Sequence, residues 1–181
     1  MTTITLNQIR KKSPCQDGWE KLLKHLGKTK ADDEPISLAI VLESNGIQDA
    51  IWCLRALPDT ERPKIVEFSC RCAESMLPHF EKKFPGDDRP RKAIAAARAY
   101  VAGEISREEL RYAASSAAAA YDVSSSAVSA AVAAYAAAAY VAADEEAYAA
   151  YASSAFAYTA SAAADVERKK QAAWFVEIFT Q

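Results

Sequence analysis

Cys70, Cys72 and His79 come nearest to a metal-ligand cluster in this sequence. Their segment reads as a helix, on which residues two apart point to different faces and Cys72 and His79 stand about 10 Å apart. Zinc needs its ligands within about 2.3 Å of one point, so a site would require Cys15 or Cys53 to be brought in. Paired carboxylates that could do acid–base work occur at Asp32-Asp33-Glu34, Asp87-Asp88 and Asp144-Glu145-Glu146. Each pair or triplet precedes an expected helix, where capping and the helix dipole account for it. No phosphate loop, nucleophile elbow or HExxH helix is present. The basic groups are Arg10-Lys11-Lys12, Arg89 with Arg91 and Lys92, and Arg168-Lys169-Lys170, within a net charge of -2. That balance, with a pI near 5.8, argues against a nucleic-acid binder. The residue types point away from an enzyme and toward no metal and no cofactor.

Helices must position whatever these residues do. From Ala113 to Ala164 the chain is almost entirely Ala, Ser and Tyr, with acids at Asp122, Asp144, Glu145 and Glu146 and no Gly or Pro. Alanine is the strongest helix former, because its side chain loses no rotamer entropy. It contributes little apolar area, so such helices pack by letting backbones approach closely. Tyr121, Val128, Tyr135, Ala142, Ala149 and Phe156 recur every seven residues. A seven-residue repeat keeps one seam facing a partner helix, which predicts antiparallel packing. Serines and acids within the tract, and alanine's weak hydrophobicity, argue against a membrane span.

Before the tract, Met1 to Pro14 reads as a polar, partly ordered lead-in. Periodicity from Asp17 predicts a helix with Trp19, Leu22, Leu23 and Leu26 on one face, ended by Gly27. Pro35 is expected as the first residue of the next helix, with Ile36, Ile40 and Val41 inward. Asn45-Gly46 then turns the chain into a short helix over 47–57. A longer helix follows from Glu61 and contains Pro78; Phe84-Pro85-Gly86 breaks it. Another runs from Arg89 to Val101, and Ser106 with Glu109 forms a capping box for its successor. No strand is expected. The fold class is therefore all-α: an N-terminal helical domain over 1–103, then an Ala-rich helical bundle over 104–181 packed on it, the two forming separate domains or one continuous one. The N-terminus lacks the apolar core of a signal peptide, and the four cysteines show no scaffold spacing, so reduced thiols in the cytoplasm are expected.

Residues Leu77 to Glu104 contain the run Phe84-Pro85, Asp87-Asp88-Arg89-Pro90-Arg91, Ala93-Ile94, Ala96-Ala97-Arg98 and Gly103-Glu104. This run, with the Ala-rich tail behind it, resembles the helical Imm-5-like "putative immunity protein" family of bacterial and prophage genomes. Residues Ile40 to Leu57, with Ser44-Asn45-Gly46 and Asp49-Ala50, Trp52-Cys53-Leu54-Arg55, resemble an extension of a prophage-type branch. The resemblance implies a small cytosolic protein that binds and neutralises a toxin, or a host defence component if phage-encoded. It implies no catalytic residues.

A non-enzymatic protein-binding inhibitor is the leading expectation. The rivals are a self-assembling oligomer closed by the Ala seam, and an enzyme whose Cys, His and Asp converge out of sequence order. Tyr is enriched in protein interfaces, and the tyrosines of the tract spread around its helices. Tyr135, Tyr140, Tyr148, Tyr151 and Tyr158 are therefore candidate partner contacts. Arg89 and Arg91 join them, because cations at a helix N-terminus need a compensating partner.

Overall fold

The computed structural model describes residues 1–119 and 163–181, without the side chains of Met76, His79, Lys83, Ala118 and 163–165. Within these residues the fold is mainly α, with eight α-helices and one two-stranded ribbon. The chain divides into two compact units. One comprises 1–62 with 168–181, the other 63–167.

The first unit opens with β1 (Thr3–Thr5), which pairs antiparallel with β2 (Pro35–Ser37). Ile4 faces Ile36 across the ribbon, and both are buried. The expected lead-in is thus an ordered part of the core. Helix α1 (Leu6–Lys11) follows at once, closed by a capping box in which Gln8 N donates to Thr5 Oγ1 at 3.1 Å and Thr5 N to Gln8 Oε1 at 2.7 Å. Leu6 and Ile9 are fully buried. The expectation failed because a three-residue strand is too short to show alternation, and its apolar partner lies about thirty residues away.

Helix α2 (Gln16–His25) ends at Gly27, whose φ of 64° suits a residue without a Cβ. The helix expected to begin at Pro35 begins instead at Leu38. Pro35 is extended and pairs with Thr5 at the end of the ribbon, where its missing N–H costs no inner ladder bond. Ser37 is the cap of α3 (Leu38–Asn45), accepting from Ala39 N at 3.1 Å. Gly46, at φ 91°, then turns the chain into α4 (Ile47–Cys53) and a 3-10 turn over Leu54–Ala56.

In the second unit, α5 (Arg62–Lys83) lies almost wholly beyond the division and carries Pro78 inside it. Helices α6 (Arg89–Val101) and α7 (Arg107–Ala119) pack on each other. Ile65, Val66, Phe68, Leu77, Phe80, Ile94 and Leu110 supply the large buried side chains, and Ala93, Ala97 and Ala117 are fully buried between them. The capping box forms as expected: Glu109 N donates to Ser106 Oγ at 3.2 Å, and Ser106 N to Glu109 Oε2 at 2.7 Å. The last helix, α8 (Ala163–Phe179), has residues in both units. In the first unit its Phe175 and Phe179 are fully buried, with ring centroids 4.9 Å apart. Among the described residues no helix is long and apolar enough to cross a membrane.

Candidate functional site

Arginine in the first turn of a helix is opposed by the macrodipole, and at α6 the chain meets this with local carboxylates. Arg89 grips Asp87 as a fork, Nε to Oδ1 at 2.9 Å and Nη2 to Oδ2 at 2.6 Å. Its backbone N donates to the same carboxylate at 3.2 Å. The guanidinium hydrogen bond holds the Asp87 carboxyl below its ordinary range. Arg91 reaches from α6 to α5, where Nε and Nη2 both donate to Glu81 Oε1 at 3.0 and 2.6 Å. Its side chain is still 62% exposed, so the pair adds little stability and the head remains reachable. Tyr135, Tyr140, Tyr148, Tyr151 and Tyr158 lie outside the described residues.

A denser charge network joins the middles of α5 and α6. Arg98 donates from Nε to Glu67 Oε2 at 2.9 Å and from Nη1 and Nη2 to Glu74 at 2.5 and 2.9 Å. Arg71 donates to Glu67 Oε1 at 3.0 Å. The bond to Glu74 is the main reason that Arg98 holds its proton even more firmly than usual. Burial alone would raise Glu67, but the bonds from Arg98 and Arg71 outweigh it and hold the carboxyl below its ordinary 4.5. A depressed carboxylate stabilises the fold above its unfolded value and loses that contribution as pH falls through the lower folded value. Stability should therefore decline on acidification below about pH 4.5. Arg98→Met should melt about 1 kcal/mol less stable at neutral pH, the figure reduced for a partly exposed pair, and decline less steeply in acid. Thermal melts of both proteins at several pH values check this; parallel declines would show that the network contributes nothing.

The three buried thiols are poor nucleophiles. Burial pushes Cys53 and Cys70 up to about 12 and Cys72 higher still, so all three stay protonated near neutral pH. Cys15 is exposed, and so is His25. Among the described residues no three His, Cys, Asp or Glu side chains stand together as a metal site.

In the first unit, α2 and the α3–α4 pair enclose a small cleft of about 50 Å³. Ile9, Trp19, Leu22, Val41 and Trp52 form its apolar wall. Asn45 forms the polar one, donating from Nδ2 to the Gly18 carbonyl at 2.8 Å and to Asp49 Oδ2 at 2.7 Å. Ser44 Oγ fixes the amide by donating to Asn45 Oδ1 at 2.6 Å. The helices come this close because Gly18 has no side chain: a Cβ there would fall 2.8 Å from Asp49 Oδ2 and 3.1 Å from Cys15 Sγ. Glycine inside a helix costs about 1 kcal/mol against alanine, which that close approach offsets. Two cation–π contacts flank the cleft, with Arg10 lying 6.0 Å from the Trp19 ring centroid and Arg55 4.4 Å from that of Trp52.

Sequence reasoning placed Trp19 on an apolar helix face, Trp52 in a separate short helix and Arg10 in a basic run. Their convergence escaped it, because no spacing within one helix encodes which helices will meet.

A family model described as "Imm-5 like putative immunity protein" matches residues 55–178, more than half of the chain. No curated protein and no solved structure matches it. The cleft residues, none later than Cys53, all precede the matched segment.

Proposed function

We propose, from the premise that this chain belongs to the Imm-5 like putative immunity protein family, that it is a non-enzymatic inhibitor acting by binding a protein target. The target is a toxin or, where the gene is carried by a phage, a component of the host's defence. The family match over residues 55–178 is the observation that carries this reading. The high thiol pKa values support binding over catalysis, because a protonated buried thiol neither attacks nor ligates readily. The cytoplasm, where such targets act, is the proposed compartment.

The proposed contacts are Tyr135, Tyr140, Tyr148, Tyr151 and Tyr158 of the Ala-rich tract, together with Arg89 and Arg91. Interface energy concentrates in Tyr, Trp and Arg, and a smooth Ala/Ser surface leaves the tyrosines as the large projections. Where a toxin is encoded next to the gene, co-expression should restore growth to cells that the toxin alone arrests. Where the gene lies in a phage, the readout is plaque formation on a defended host. If neither is restored, the inhibitor reading is wrong. Single Tyr→Ala variants should lose about 1 kcal/mol or more of target binding at one position at least, with folding intact. Arg89→Ala with Arg91→Ala separates two roles: a clear fall in melting temperature marks the ion pairs as structural, and unchanged melting with lost binding marks a contact.

A further inference from the structure

The run Arg10-Lys11-Lys12 closes α1 immediately after Ile9, which lines the cleft. All three side chains are exposed. Among the described residues Lys28, Arg62, Arg71, Arg89, Arg91, Lys92 and Arg98 are in carboxylate ion pairs. Among the described residues Arg10, Lys11 and Lys12 are in no carboxylate ion pair. The dipole of α1 makes its C-terminus tolerant of cations, so their presence costs nothing. Tolerance does not explain why the first of them stands against Trp19 at the mouth of a cleft.

We infer that this cleft and its cationic rim are a docking site for an acidic segment of the protein target, which seats one apolar side chain at Trp19 and Trp52. The inference rests on the inhibitor reading and adds a second contact surface to it, outside the segment that the family model matches. The two parts of the site ask for different chemistry. A volume of about 50 Å³ admits a side-chain tip and is well below the several hundred Å³ of a cofactor or metabolite pocket. Its apolar wall suits a hydrocarbon tip, whereas Asp49 in its lining disfavours an anion within. The occupant's charge therefore belongs outside it, where Arg10 stands at the Trp19 ring and Lys11 and Lys12 follow it at the end of α1.

The same carboxylate argues against a nucleic-acid strand threading the cleft. So do the arginines over the Trp rings, which leave neither as an open platform for a stacked base. Rim charges act chiefly on association rate and salt dependence, while a seated apolar side chain slows dissociation. The two halves of the site can thus be told apart kinetically.

The test uses the full chain and three labelled probes: a peptide of Glu and Asp with one central Leu, a Lys/Arg peptide of equal length, and a random-sequence DNA duplex. The acidic peptide should bind, more weakly as salt rises, while the basic peptide does not. A variant with Arg10→Gln, Lys11→Gln and Lys12→Gln should bind at least tenfold more weakly through slower association, with unchanged melting. Trp19→Ala should accelerate dissociation at least tenfold. Should Trp19→Ala lower the melting temperature, replacing the peptide's Leu by Gly gives the same readout without touching the protein. Absence of acidic-peptide binding, binding indifferent to these changes, or tighter binding of the duplex would each overturn the proposal. Growth rescue by the triple Gln variant equal to that by the native chain would also overturn it, leaving the inhibitor reading intact; that reading fails only if the native chain gives no rescue.

Discussion

Phe175→Ala is expected to destabilise the first unit by about 3–5 kcal/mol, the range for removing a fully buried aromatic ring. Phe175 is 0% exposed, and its ring lies 4.9 Å from that of Phe179. The helix that carries both is tied to the start of the chain, where Thr2 N donates to the Phe179 carbonyl at 2.8 Å. Loss of the ring therefore opens a cavity in a core that also depends on Ile4 and Leu6 of the first few residues. A domain with about 5–15 kcal/mol of total stability loses a large share of it to such a change. Val176→Ala, at the adjacent position, which is 42% exposed, is the matched control and should stay within about 0.5 kcal/mol. Denaturant unfolding of both variants is the measurement. Equal curves would show that the C-terminal helix is not packed through this face.

Ala97→Leu should cost about 1–3 kcal/mol, the penalty for forcing added volume into a close-packed interior. Ala97 and Ala93 are 0% exposed on the inner face of α6. On that face Cys70 Sγ of α5 lies 3.9 Å from the Ile94 backbone carbonyl, a reach that only small neighbours permit. Ala95 is exposed on the same helix, and Ala95→Leu controls for the slight difference in helix propensity between the two residues. Thermal melts decide it. If the inner and outer variants melt together, the alanines of α6 do not serve as close-packing residues, and the same reading of the Ala-rich tract loses its support.

What the sequence by itself determined about this protein is what short-range chemistry controls. Ser106 and Glu109 form their capping box, Gly27 and Gly46 turn the chain at positive φ, and α6 runs from Arg89 to Val101. Each of these depends on residues within one or two turns of helix, so its cause lies in the local string. The fork between Arg89 and Asp87 belongs to the same class, because the two stand two residues apart.

Only the tertiary structure decided the rest. Ile4 reads as one apolar residue among threonines until Ile36 pairs with it across the ribbon. Pro35 reads as a helix start until Thr5 takes it as a strand partner. Arg98 finds Glu67 31 residues away and Glu74 24 away, and no periodicity of α6 names those partners. Trp19 and Trp52 share a cleft because Gly18 lets α2 close on Asn45 and Asp49. The physical reason is the same in every case. Burial and charge pairing are won from whichever surface arrives, and that surface is set by long-range packing, whereas helices, caps and turns are set by neighbours along the chain.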